Sequence, residues 1–247
     1  MQVGSLKELA GRSSILFITV TDSAALEEVT MGENGLISGM NPGSIIIDMS
    51  TVSPESSMKV NEAIELAESK FLRAPVTGST AFAASGTLGI LSSGDRTSYD
   101  SVLKLFQKLG NKQFYLGTGE EAWYMKLVIN MMLGTSMQML AESLALGERV
   151  GLDWAQMIEI IAGSAVGSPL INYKVNGLTA RNYDALNIRL MEKDFHLALN
   201  VARNMDVALP ISAMTRQLLA SARSTGKGDY DISALVLLAE DMSGIRN

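Results

Sequence analysis

Residues 117–151 read GTGEEAWYMKLVINMMLGTSMQMLAESLALGERVG, and this stretch decides how the chain is organised. It contains no proline and few strand-favouring residues, so about thirty positions can form one helix, on the order of 45 Å long. A helix of this length can leave one domain and enter another. Lys126 and Asn130 lie four positions apart near its start and therefore project from the same face.

Lys126 is surrounded in the sequence by apolar residues, among them Trp123, Leu127 and Met131. A lysine that is removed from water can have its pKa lowered into the range useful for proton transfer. The alternative is a structural lysine, whose aliphatic stem lies across apolar surface while its ammonium group reaches water. The local pattern by itself leaves both interpretations open.

The composition excludes several classes of function. Of the 247 residues, 47% are hydrophobic and 19% are charged, which predicts one large folded domain or two smaller ones. A net charge of −6 without a run of Lys or Arg argues against nucleic-acid binding. The sequence has no apolar run long enough to span a membrane, no apolar signal core in residues 1–12, no cysteine and one histidine. We expect a cytoplasmic protein with no metal, membrane or nucleic-acid partner.

Before residue 117, short apolar runs alternate with helical patterns. Strands are predicted at residues 14–20, 44–49, 71–76, 87–92 and 112–116, and helices at 24–30, 54–70 and 98–109. This alternation is typical of βαβ units and predicts a mostly parallel sheet covered on both faces. The connection over residues 77–86 is too short for a full crossover helix, so we also expect some antiparallel pairing.

After Gly117 the strand patterns stop. Further helices are predicted at residues 153–162, 169–176, 193–205, 210–224 and 232–242. The predicted fold class is therefore α/β followed by all-α. We place the first domain at residues 1–117 and a helical domain at residues 118–247, with a linking helix at about 119–150.

Two strand-to-helix junctions carry candidate binding residues, because ligands of open α/β sheets bind at the carboxyl ends of the strands. Residues 48–54, DMSTVSP, place Ser50, Thr51 and Ser53 beside the free N–H groups of the next helix, which is either an anion site or plain capping. Residues 75–79, PVTGS, contain Gly78, which lets backbone amides approach an anionic group. The alternative for this second junction is a flexible loop.

Two further stretches contain residues that could bind a ligand or could be structural. Residues 117–122 match G-x-G-x-x-A, but we reject a dinucleotide fingerprint because helix, not a second strand, follows, and because Glu120 and Glu121 would stand where a pyrophosphate binds. In EKDFH, at residues 192–196, Lys193 and Asp194 can orient a ligand, or Asp194 can cap a helix. His196 is interpreted as structural or solvated.

Taken in order, these stretches resemble the β-hydroxyacid dehydrogenases. The matching segments are DMSTVSP, APVTG, GTGEEAWYMKLVIN, EKD and the closing GDYDISAL, so the resemblance covers essentially the whole chain. It implies a Rossmann-like nucleotide-binding domain, here partial, joined by a long helix to a helical domain like that of 6-phosphogluconate dehydrogenase. It also implies NAD or NADP as cofactor, and a reaction that interconverts a small 3-hydroxy acid and its semialdehyde or reduces a glyoxylate-like aldehyde acid.

The resemblance also assigns roles to individual residues. It implies that Lys126 is the general acid/base, with Asn130 bonded to the same substrate oxygen or positioning the lysine. Thr51 is expected beside the nicotinamide and Lys193 beside cofactor or substrate. The residues expected to hold the substrate carboxylate are Ser50, Thr77, Gly78 and Ser79. The family often has glycine where Ser79 stands.

One expected motif has no counterpart, since no G-x-G-x-x-G occurs upstream of Lys126. This leaves two hypotheses. The first is an active NAD(P)-dependent dehydrogenase that forms a homo-oligomer, a dimer or tetramer, through its helical domain. The second is a catalytically impaired homologue or fragment that acts as an oligomerising or small-carboxylate-binding protein.

Overall fold

The computed structural model describes residues 3–184 and 188–245. The chain divides into two compact units, Met1–Val128 and Ile129–Asn247. The elements of the first unit are α1 (Leu6–Arg12), β1 (Ile15–Ile18), α2 (Ser23–Met31), a 3₁₀ turn (Leu36–Gly39), β2 (Ile45–Asp48), α3 (Pro54–Leu66), β3 (Lys70–Arg73), β4 (Val76–Thr77), α4 (Thr80–Ala84), β5 (Leu88–Gly94), α5 (Arg96–Leu109) and β6 (Gly110–Gly117). The long helix α6 (Glu121–Arg149) begins in the first unit and ends in the second.

The sheet is mostly parallel. β1, β2 and β3 pair in parallel register, with Ile45 of β2 opposite both Ile15 and Lys70. β3 and β4 both pair antiparallel with β5, and β5 pairs in parallel with β6. The antiparallel step occurs across residues 78–87, where the short α4 cannot carry the chain back over the sheet. Both sheet predictions are therefore confirmed.

Both faces of this sheet are covered. Ile46 and Ile47 are adjacent on β2 and both fully buried, yet they belong to different hydrophobic clusters because successive strand residues point to opposite faces. Trp123 of α6 is fully buried in the same cluster as Ile46. The first turns of α6 are thus part of the core of the first unit.

Three local predictions for this unit were wrong or incomplete. The helix predicted over residues 54–70 ends at Leu66, and Lys70 already pairs with β2. The segment after Thr77, interpreted as a loop, contains the short helix α4. Helix α1, with the Ser5 hydroxyl as its cap, was not predicted.

The second unit contains only helices among its described residues. After α6 these are α7 (Trp154–Gly163), α8 (Pro169–Thr179), α9 (Ile188–Asn204), α10 (Pro210–Ala222) with a wider turn (Arg223–Lys227), a 3₁₀ turn (Ile232–Ala234) and α11 (Leu235–Met242). Three predicted helices differ: α8 continues to Thr179, α9 is already helical at Ile188, and the predicted 232–242 helix is a 3₁₀ turn followed by α11. The predicted fold class, α/β followed by all-α, is confirmed. No helix in residues 3–184 or 188–245 is long and apolar enough to cross a membrane.

Helices α6 and α9 approach closely at one glycine. A Cβ built on Gly134 would lie 2.4 Å from a ring carbon of Phe195, which is itself fully buried. No side-chain atom fits at that distance, so the close approach depends on glycine at this position. The same interhelical region contains the candidate residues of α9 described below.

Candidate active site

The turn after β2 is held by two hydrogen bonds. Asp48, the last residue of β2, accepts the backbone N–H of Ser50 at 3.0 Å, and the Ser50 hydroxyl accepts the backbone N–H of Val20 at 2.9 Å. Ser50 is buried, so its hydroxyl is fixed between the turns that follow β1 and β2. Its own proton remains available to an acceptor, because a hydroxyl can donate and accept at once.

The same turn leads directly into α3. The Ser53 hydroxyl accepts the backbone N–H of Ser56 at 3.1 Å, and Pro54 occupies the first turn of the helix. Plain capping, the alternative interpretation of Ser53, is therefore confirmed. Thr51 lies half-buried between these two anchored serines.

The loop after β4 requires glycine. Gly78 has φ +130°, a conformation that other residues rarely adopt, and a Cβ there would come within 3.0 Å of the Leu88 and Phe82 side chains. The Ser79 hydroxyl is shielded from solvent and has no hydrogen-bond partner among the described residues. β4 continues the direction of β3, so this loop and the Ser50 turn lie toward the same edge of the sheet.

Lys126 lies in the second turn of α6, half-buried beside the fully buried Trp123 and the buried Leu127. Its immediate neighbour Met125 is 38% exposed. The lysine therefore lies at the border between core and solvent.

Asn130, Asp194 and Lys193 are joined within the second unit by one hydrogen bond and one ion pair. The buried Asn130 donates its side-chain N–H to the Asp194 carboxylate at 2.6 Å, and the Lys193 amine lies 3.2 Å from the other oxygen of that carboxylate. Asp194 lies inside α9, so its interpretation as a helix cap was wrong. His196 is on the exposed side of α9 and contacts Asn200.

The start of α6 is occupied by carboxylates. Glu121 folds back so that its carboxylate accepts the backbone N–H of Gly119 at 2.8 Å, and a Cβ on Gly117 would lie 2.6 Å from that same carboxyl group. Burial raises the pKa of the nearby Tyr124 phenol, and the charges of Glu120 and Glu121 raise it further. These carboxylates stand where a pyrophosphate would bind, as the rejection of a fingerprint at residues 117–122 assumed.

One buried polar cluster was missed from the sequence. Arg73, at the end of β3, pairs with Glu120, and its Nε donates to the Ser57 hydroxyl at 3.2 Å. The same hydroxyl accepts the indole N–H of Trp123 at 2.8 Å. The one available signal was Glu120 just before a helix whose first turn contains the apolar Ala122 and Trp123, since a glutamate buried beside them requires a cationic partner.

Two protein-family models match the chain. The model described as the NAD binding domain of 6-phosphogluconate dehydrogenase matches residues 2–117. The model described as NAD-binding of NADP-dependent 3-hydroxyisobutyrate dehydrogenase matches residues 118–239. Together they account for both the sheet-containing and the all-helical parts of the sequence.

Similar proteins agree with these matches. Glyoxylate/succinic semialdehyde reductase 1 of Arabidopsis thaliana is 33% identical over 88% of this chain and 75% of that protein. The chloroplastic reductase 2 of the same species is 32% identical over 94% of this chain, which spans 65% of that relative's length. Among solved structures, 3-hydroxyisobutyrate dehydrogenase from Salmonella typhimurium has the same fold, with a TM-score of 0.88 at 23% identity over 95% of this chain and 82% of that one.

A sheet-containing unit followed by an all-helical unit, each matched by an NAD-binding model, defines the class as a nicotinamide-dependent oxidoreductase fold. The chain belongs to the β-hydroxyacid dehydrogenase family. The expected cofactor, NAD or NADP, is confirmed at the level of the family, because both models describe NAD-binding domains.

Proposed function

We propose that this protein is an NAD(P)-dependent β-hydroxyacid dehydrogenase that interconverts a small 3-hydroxy acid and its semialdehyde, or reduces a glyoxylate-like aldehyde acid. The observation that carries the proposal is Lys126, a half-buried lysine beside fully buried core residues in the second turn of α6. When bound, the nicotinamide supplies or accepts a hydride. The chain itself must then supply a proton to the oxygen, or remove one from it.

Lys126 is the residue proposed to move that proton. In reduction its ammonium group donates to the developing alkoxide, and in oxidation its amine accepts the hydroxyl proton. Asn130 donates its N–H to Asp194, which leaves its carbonyl oxygen as an acceptor with a fixed orientation. That oxygen is proposed to bond to the substrate hydroxyl or to the lysine ammonium group.

The substrate carboxylate is proposed to bind at the strand ends. Ser50 retains a hydroxyl proton for an acceptor, Gly78 exposes backbone between Thr77 and Ser79, and the Ser79 hydroxyl lacks a partner among the described residues. Such groups satisfy a carboxylate through hydrogen bonds instead of a strong ion pair. A small acid fits this arrangement better than a multiply charged one.

The described residues also include groups suited to the cofactor. Thr51 presents a half-buried hydroxyl at the sheet edge where ligands of α/β folds bind. The Lys193 side chain is 25% exposed, so its ammonium group can reach an anionic or polyhydroxylated ligand while Asp194 balances its charge. We propose that Thr51 lies beside the nicotinamide and that Lys193 contacts cofactor or substrate.

The helical unit is proposed to associate with a second copy of the chain as a dimer or tetramer. Large apolar side chains on α6 and α10 are more than half exposed, namely Met132, Met139, Leu146, Ile211 and Met214. Cavities of about 380 and 260 Å³ lie along α6 beside α10 and α11. Exposed apolar area of this kind is typical of a protein–protein contact. A cytoplasmic location is proposed with it, since a chain without cysteine has no disulfides to maintain.

The purified chain is to be assayed with NADH and NADPH against glyoxylate and succinic semialdehyde, and in reverse with small 3-hydroxy acids and NAD or NADP. We expect saturable turnover with one of these pairs, and saturable quenching of tryptophan fluorescence by the reduced cofactor. Turnover of none of them, together with no saturable binding at millimolar cofactor, would contradict the proposal and favour the second hypothesis, a small-carboxylate-binding or oligomerising homologue.

A further inference from the structure

The first turn of α6 is attached to its own unit by an unusually buried polar cluster. We call Arg73, Ser57, Glu120 and Trp123 the start cluster. Ser57 and Trp123 are fully buried, Arg73 is 3% exposed and Glu120 is 8% exposed. The residues come from β3, α3 and the first turn of α6, so the cluster joins three elements at the point where the long helix begins.

Ser57 is the centre of this cluster. Its hydroxyl accepts two hydrogen bonds, from the Trp123 indole at 2.8 Å and from Arg73 Nε at 3.2 Å. Arg73 also pairs with Glu120 and lies over the Phe71 ring, with its central carbon 5.1 Å from the ring centroid. The guanidinium group is thereby held by Ser57, Glu120 and the Phe71 ring, and Ser57 links it to Trp123.

The stability of the fold does not by itself explain why the start cluster contains a buried ion pair. A buried ion pair must repay the loss of hydration of both ions, so replacing the pair by apolar residues of similar volume often leaves a fold as stable as before. What a directional cluster adds is a fixed orientation of the groups it joins. In this chain the cluster orients the part of α6 that carries Lys126, which lies three residues after Trp123.

Because Lys126 follows Trp123 by about one helical turn, the rotation of α6 about its axis determines where the lysine amine lies. A rotation of α6 by about 20° about its axis moves the nitrogen of an extended lysine by roughly 3 Å. Misplacement of a reacting group by about 1 Å can cost on the order of 10²-fold in rate. An indole N–H bonded to α3 opposes such a rotation because the bond weakens steeply as its angle changes.

We propose that Arg73, Ser57, Glu120 and Trp123 are positioning residues, which fix the rotation of α6 and so direct the Lys126 amine. The proposal deepens the proposed function, because it concerns the residue on which that function depends. It assigns no contact with substrate or cofactor to these four residues. Their effect reaches the reaction only through Lys126.

The two tryptophans of the chain give a matched test. Trp123→Phe removes the indole N–H bond to Ser57 at 2.8 Å, and Trp154→Phe removes an indole N–H bond of 2.9 Å to the Leu178 carbonyl in the other unit. We expect Trp123→Phe to lower kcat about tenfold with KM within about twofold, and to raise the solvent deuterium isotope effect on kcat, since proton transfer becomes slower. Trp154→Phe is expected to leave all three unchanged.

Two readouts do not depend on turnover. The first is the rate at which acetic anhydride labels Lys126, followed by peptide mass spectrometry. This rate is expected to change at least about threefold in Trp123→Phe, because the amine takes up a wider range of orientations, and to stay unchanged in Trp154→Phe. Amide hydrogen exchange in the first turns of α6 is expected to accelerate in the same variant only. If wild-type protein shows no turnover, the proposed function fails, but labelling and exchange still decide the positioning proposal.

A second variant covers the case in which Trp123→Phe folds poorly. Ser57→Ala removes the acceptor of the same bond and also the acceptor of the Arg73 Nε bond. The Ser57→Ala/Trp123→Phe double variant is expected to lose no more than Ser57→Ala alone, since that change already removes the bond that Trp123→Phe breaks. Full additivity of the two single effects on Lys126 labelling, or an unchanged labelling rate and unchanged exchange in Trp123→Phe, would overturn the proposal.

Discussion

The two ends of helix α6 use the same three chemical groups in different ways. At the start, Arg73 pairs with Glu120 beside the indole of Trp123. At the end, Arg181 donates to Glu148 at 2.8 Å and to Glu240 at 2.7 Å. Its central carbon lies 4.0 Å from the Trp154 ring centroid. Each end therefore combines a guanidinium group, carboxylate and indole, and each of these sets lies within one unit.

The clusters differ in burial and in what lies next to them. The Arg73 side chain is 4% exposed, whereas the Arg181 side chain is 28% exposed and shared between two carboxylates. The start cluster lies three residues from Lys126, while Glu148 is roughly six turns further along the helix. The presence of an ion pair therefore does not by itself reveal function. Burial sets the cost of losing a partner, and proximity to the reacting residue sets the effect on activity.

The largest expected difference between the two ends is in stability. Glu120→Ala leaves the buried Arg73 without its carboxylate and is expected to lower the free energy of unfolding by about 3–5 kcal/mol. Glu148→Ala is expected to cost about 1 kcal/mol, because Arg181 retains Glu240 and is partly hydrated. Urea denaturation of both variants measures the difference. Equal losses would show that burial does not distinguish the two ends.

A double substitution separates stability from positioning. Arg73→Met with Glu120→Leu removes both charges and is expected to recover the free energy of unfolding to within about 1–2 kcal/mol of wild type. Its kcat is expected to stay several-fold low, because only the Trp123–Ser57 hydrogen bond then orients the start of α6. Recovery of both quantities in denaturation and turnover assays would mean that the start cluster is only a structural ion pair.

The tryptophan substitutions give smaller stability effects. Trp123→Phe and Trp154→Phe each lose one hydrogen bond of similar length, which costs about 1 kcal/mol, and Trp123→Phe also leaves a small cavity because Trp123 is fully buried. We therefore expect Trp123→Phe to cost about 1 kcal/mol more than Trp154→Phe in urea denaturation, which leaves both variants folded and suitable for comparing activities. A stability difference of several kcal/mol between the two would invalidate their use as a pair.

The smallest effect near neutral pH belongs to Tyr183 in the second unit. Burial raises the pKa of this phenol from 10.0 to about 12, so the unfolded chain loses the proton before the folded one does. The contribution of the protonated phenol to the free energy of unfolding is fully present below pH 10. It is expected to decline as the pH rises from there towards about 12. Tyr183→Phe removes this decline. Denaturation midpoints compared between wild type and variant across that interval test it, and an identical decline in both would contradict it.

The sequence predicted what depends on local pattern. The strands around Ile15–Ile18 and Ile45–Asp48, the length of α6 and the helix predicted at residues 153–162 all follow from short-range periodicity. The shared face of Lys126 and Asn130 follows from helix geometry in the same way. These features need no knowledge of distant partners.

What could not be predicted depends on pairs far apart in the chain. Arg73 and Glu120 are 47 residues apart, and Ser57 and Trp123 are 66 apart. The 64 residues between Asn130 and Asp194 likewise hid the hydrogen bond that orients the asparagine. No spacing rule identifies such partners, because the sheet and the helix packing bring them together only in the folded chain.

The proposed reaction depends above all on the Lys126 amine as the group that carries the proton. Lys126→Met keeps an unbranched apolar side chain about as long as the lysine stem and removes the amine. With the best substrate and cofactor pair, kcat is expected to fall by roughly 10³-fold while the cofactor Kd stays within about twofold. A Lys126→Met enzyme that retains kcat within about tenfold of wild type would contradict the account.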